Sequence, residues 1–100
     1  MTRDEFQRAC DAGSIDRDTV PLLRSLFEDY QGDWDAAHSI AQNIPSVQGS
    51  AVHAYLHRKE GDLSNAGYWY RRAGRAMPEI PLAEEWELLA EELTDSAASS

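Results

Sequence analysis

Apolar residues recur along this chain at steps of three and four, and no segment shows the one-in-two alternation of a half-buried strand. Thr2 followed by Glu5 is a capping box, opening a short helix with Phe6, Ala9 and Cys10 inside and Gly13 at its end. Val20, Leu23, Leu26, Phe27 and Tyr30 predict a second helix, started by Asp16 or Asp18, with Pro21 tolerated in its first turn. Asp33 caps a third that carries Trp34, Ala37, Ile40, Ala41 and Ile44, and Pro45 closes it. A fourth spans 47–60 and a fifth 63–76, with Gly61-Asp62 between them and Pro78 after them. Leu82, Trp86, Leu89 and Leu93 form the stripe of a sixth helix, expected to dock on the open end of the preceding hairpin. The small polar run from residue 95 reads as a flexible tail. The expected architecture is all-α, one helical domain over residues 1–94 with a tail over 95–100.

The turns echo one another. Gly32-Asp33 followed by Ala37 returns as Gly61-Asp62 followed by Ala66, a spacing of 29 residues, and such periods indicate stacked helical hairpins. In the second copy Gly61-Asp62, Ala66, Tyr70, Ala73 and Pro78 stand at the spacing of the back half of a tetratricopeptide repeat, which this segment resembles. Ser50, His53 and His57 occupy places where that family has large apolar residues, and Ala41 replaces the aromatic of the first copy. The resemblance implies about two degenerate repeats with an N-terminal helix and a C-terminal capping helix. It also implies a short groove lined by Tyr55, Arg58 and Lys59, with Arg24 beside them.

Composition narrows the function. A net charge of −9 argues against nucleic-acid binding, which rests on phosphate neutralisation. Lone Cys10 permits no internal disulfide, the first ten residues have no signal-peptide pattern, and no apolar run reaches membrane-spanning length. The expectation is a cytoplasmic protein, whose acidity also suits a salty interior. The charge is uneven, however. Residues 58–75 hold five bases against Glu60 and Asp62, and the remainder holds four bases against sixteen acids. Tyr68, Arg71, Arg72 and Arg75 make an outward stripe on the fifth helix, suited to carboxylates or phosphates on a partner. The competing reading pairs these arginines with the acids of the last helix. Gly67 and Gly74, seven apart, leave a side where another backbone can approach.

One other constellation bears on chemistry. His53 and His57 lie four apart with Glu60 three further on, so all three share a helix face. A tight hairpin about Pro45-Ser46 sets His38 level with His53 and Trp34 near His57. Three imidazoles and a carboxylate suit zinc or another divalent transition metal. The same residues also suit a structural polar network closed by Tyr68, Arg71, Arg72 and Arg75. The leading expectation is a non-enzymatic module without a cofactor, binding a protein, a peptide or a second copy of itself through Tyr55, Arg58, Lys59, Tyr68, Arg71, Arg72 and Arg75. The rival is a metal- or ligand-binding protein, of hydrolase type in one version, using His38, His53, His57 and Glu60.

Overall fold

The computed structural model describes the backbone of residues 1–99 and the side chains of residues 1–96. Among the described residues six helices are formed: α1 (Arg3–Ala12), α2 (Pro21–Tyr30), α3 (Trp34–Ala41), α4 (Val47–Glu60), α5 (Leu63–Arg72) and α6 (Leu82–Ser99). No strand occurs among the described residues. Thr2 and Glu5 complete the capping box on α1, and Gly13 ends that helix in the left-handed region at φ 71°.

Four boundaries differ from those the sequence predicts, the first being the end of α3, which stops at Ala41 and leaves Ile44 and Pro45 in the connection to α4. The start of α2 is not capped by Asp16 or Asp18. Asp16 instead accepts the Asp18 and Thr19 amides in a separate turn, and Val20 precedes Pro21 with no side-chain cap. Helix α5 stops at Arg72, because Gly74 takes φ 71° and the Arg75 amide turns back to the Tyr70 carbonyl. The last helix continues to Ser99, so helix covers most of the span expected to be a flexible tail; Ser100 lies outside the described residues.

The two Gly-Asp turns share one geometry. Gly32 and Gly61 have φ of 90° and 91°. Asp33 then caps α3 by accepting the Ala36 amide, and Asp62 caps α5 by accepting the Asn65 amide. The turns join α2 to α3 and α4 to α5, pairs that pack closely on each other. Helix α4 is the centre of the molecule, touching α2, α3, α5 and α6. Every residue from Gly49 to His57 is buried, which removes the one-sided apolar stripe that a surface helix would show.

A close approach does occur, but at Gly49 rather than at Gly67 or Gly74. A Cβ added at Gly49 would stand 2.0 Å from the Ile44 carbonyl oxygen, whereas at Gly67 it would meet only the Arg71 guanidinium at 3.5 Å and at Gly74 nothing within 4 Å. Gly49 therefore sets how tightly the start of α4 folds back on the end of α3. The last helix is also placed differently from a terminal cap on the second hairpin. It packs on α1, α2 and α4, burying Trp86, Leu89, Ala90 and Leu93 in the main core. Trp86 stacks on Phe6 at 5.8 Å, and its indole donates to the Leu26 carbonyl. The extended connection after Gly74 lets α6 cross back over the first helices.

Candidate metal centre

Two turns of α4 and one residue of α3 build the site. His53 and His57 lie one above the other on α4, and His38 comes from α3 across the tight Pro45-Ser46 connection. His53 and His57 are 6% and 7% exposed; His38 is half-buried. One ligand-capable nitrogen from each ring lies within 4.8 Å of those of the other two. Nε2 of His38 and Nε2 of His53 are 3.0 Å apart and share a hydrogen bond, one ring donating to the other. Two nitrogens bound to one tetrahedral zinc ion at 2.0–2.1 Å stand about 3.3 Å from each other, so this pair already has nearly the required separation.

The tautomer of His57 is set from behind. Its Nδ1–H donates to Oε1 of Glu60 at 2.6 Å, which leaves the lone pair of the neutral ring on Nε2. A carboxylate behind an imidazole is the arrangement that orients histidine ligands and raises their basicity. Burial pushes the His53 pKa down to about 4, with the His38 and His57 imidazoles adding to the effect. Burial likewise lowers His38, helped by His57 and opposed by Glu60 and Asp35. Neutral rings are the form that binds metal.

Two tryptophans enclose the group. Trp34 lies parallel to His38 with centroids 4.8 Å apart, and its indole N–H is tied to the Leu56 carbonyl. Trp69 from α5 stacks on His53 at 4.0 Å. The sequence pattern places Trp69 in the core stripe of its helix, but gives no sign that it would cover an imidazole. The network expected to join the histidines to Tyr68, Arg71, Arg72 and Arg75 does not form. Arg72 bonds Tyr68 and lies over the Tyr68 and Trp69 rings, and Arg75 reaches Glu92. Glu60 belongs to His57 alone, and its bond lies behind that ring rather than at the nitrogen pair of His38 and His53.

The expected groove residues are engaged inside the protein. Tyr55 is 2% exposed and donates to Oδ2 of buried Asp29 at 2.6 Å, while Lys59 bonds Oδ1 of the same carboxylate at 2.7 Å. Arg58 pairs with buried Glu85 at 2.8 Å and also bonds the Ile80 carbonyl. Tyr70 donates to the other oxygen of Glu85 at 2.6 Å. Tyr68 and Arg71 do face outward. Asp29 and Glu85, the acids that absorb this charge, stand beside exposed Tyr30 and buried Trp86, and nothing in the sequence marks them as buried.

Comparison of the chain with protein families, with curated proteins and with solved structures finds no match. No helix among the described residues is long and apolar enough to cross a membrane.

Proposed function

We propose that this chain is a transition-metal-binding protein that holds a divalent ion of the zinc type between His38, His53 and His57. The observation that carries this reading is the convergence of three imidazoles within 4.8 Å, in surroundings that keep His38 and His53 neutral. Glu60 supports it by accepting from Nδ1–H of His57, which leaves the lone pair of that ring on Nε2. Nitrogen donors in tetrahedral reach suit zinc, copper, nickel or cobalt better than calcium or magnesium, which prefer oxygen.

The test is thermal unfolding with and without metal. Zinc at a hundred times its dissociation constant adds about 2.7 kcal/mol to stability. The gain disappears in His53→Ala and His57→Ala. A purely structural imidazole cluster predicts the opposite pattern: His57→Ala costs roughly 1–3 kcal/mol through its unpaired neighbour, and zinc leaves the melting temperature unchanged.

An interaction module of tetratricopeptide type keeps one specific support, the identical geometry of the Gly32-Asp33 and Gly61-Asp62 turns with their packed helix pairs. Its partner, a protein, a peptide or a second copy, would meet exposed Tyr68 and Arg71 rather than Tyr55. A sedimentation-derived mass equal to one chain at all concentrations removes the self-association version.

A further inference from the structure

The centre has three protein donors and no fourth. Glu60 bonds Nδ1 of His57 and does not converge with the nitrogens of His38 and His53. Among the described residues, the group that includes His38 and His53 contains imidazoles only. The one thiol, Cys10, is buried in the main core with Phe6 and Leu23, and burial raises its pKa to about 11. Three neutral ligands leave both charges of a divalent ion uncompensated. Closed four-ligand shells mark structural zinc, whereas three protein ligands with water in the fourth position mark catalytic zinc. His38, the half-buried member, puts this fourth position within reach of solvent.

A cavity meets the centre at His53, the one of the three imidazoles in its wall, and its size limits what can enter from that side. It has a volume of about 70 Å³ and lies against His53 and Trp69, between Ser50 on α4 and Arg72 on α5. On the measure by which one water needs about 10–15 Å³, this is room for a handful of water molecules. Arg72, held over Trp69, is the cation in its lining.

Building on the metal-binding reading, we propose that the ion activates water and that the centre hydrolyses esters of short acyl groups. The bound water loses a proton to solvent, a loss the ion makes accessible near neutral pH. The resulting hydroxide adds its oxygen to the carbonyl carbon, and the bond from that carbon to the alcohol oxygen breaks. The alcohol leaves with a proton from solvent, the carboxylic acid departs, and water refills the position. One water and one ester become one acid and one alcohol, without oxidant or reductant.

The experiment uses the full chain loaded with zinc, separated from free metal by gel filtration, and analysed for bound zinc. Release of p-nitrophenolate from p-nitrophenyl acetate is compared with release from the hexanoate ester. The zinc form is expected to exceed the same protein stripped by dipicolinate on the order of 100-fold, with the acetate ester preferred. Adding zinc back restores the rate. His57→Gln loses both zinc and the rate. If that variant does not fold, stripping and reloading the unaltered chain gives the same comparison. Retained zinc with equal rates in loaded and stripped protein overturns the hydrolytic proposal and leaves metal binding intact. Failure to retain zinc overturns both. A rate on hexanoate equal to that on acetate overturns the assignment of short acyl groups to the cavity.

Discussion

The two sides of α4 handle polar groups in opposite ways. On one side Tyr55, Arg58 and Lys59 meet Asp29 and Glu85, so that each buried carboxylate receives a tyrosine hydroxyl and a cation. On the other side His53 and His57 meet His38, two tryptophans and a single carboxylate at the edge. The first side is electrically closed, because every charge taken from water has a partner of opposite sign. Such a set holds helices in register, and removing one member leaves the other stranded. The second side is closed by aromatic stacking and by withdrawal of charge. Burial, more than any neighbouring charge, holds His53 and His38 toward the neutral form, and a neutral imidazole retains a lone pair that a cation can use. Helix α4 thus carries structural polarity on one flank and available ligand chemistry on the other.

The sharpest way to break this contrast is Glu85→Ala. It leaves Arg58, whose side chain is 16% exposed, and the Tyr70 hydroxyl without their shared partner. A loss of about 3–5 kcal/mol is expected in urea unfolding, with zinc affinity of the folded protein unchanged. A change of less than 1 kcal/mol would mean that this side is not closed in the way described.

Gly49→Ala tests the other flank through the backbone. The new methyl collides with the Ile44 carbonyl, so α3 and α4 must separate at their shared turn. The expected cost is about 1–3 kcal/mol, and the His38–His53 pair opens with it. Zinc-induced stabilisation should therefore fall more than ten-fold in apparent affinity. Full zinc affinity in Gly49→Ala would show that the hairpin turn does not set the imidazole spacing.

The smallest effect is a pH dependence of the metal-free protein. The folded-state pKa of His53, about 4, lies below its ordinary value of 6.5, so the unfolded chain binds the extra proton between those limits. Its contribution to stability is complete above pH 6.5 and is lost as the pH falls toward 4, at about 1.4 kcal/mol per unit. Chelator-treated wild-type protein and His53→Gln should converge in stability across that window. Parallel curves would place the proton-linked loss elsewhere.

Much of this was legible along the chain. Thr2-Glu5, Asp33 and Gly61-Asp62 specify helix ends through local hydrogen bonds and steric limits, which act over three or four residues, whereas α3 stops at Ala41, short of Pro45. The turn at Pro45-Ser46 was enough to bring His38 level with His53. The stop at Gly74 was less visible, because Ala73 through Met77 can continue a helix and only the backbone conformation decides. Burial all round α4 was not visible at all. A helix surrounded by four others has no polar side, so amphipathic periodicity puts His53 and His57 outside, whereas the repeat register, like the packed structure, puts them inside.

What the sequence alone determined is therefore the number of helices, most of their ends, and the shared face of His53, His57 and Glu60, all consequences of helical periodicity and short-range capping. Tertiary structure decided the rest. It spent Arg58, Lys59 and Arg75 on Glu85, Asp29 and Glu92, and brought Trp69 over His53. It also placed α6 across the first helices instead of at the end. Each of these joins residues ten or more positions apart in the chain, where the choice of partner depends on how whole helices pack and not on any local pattern.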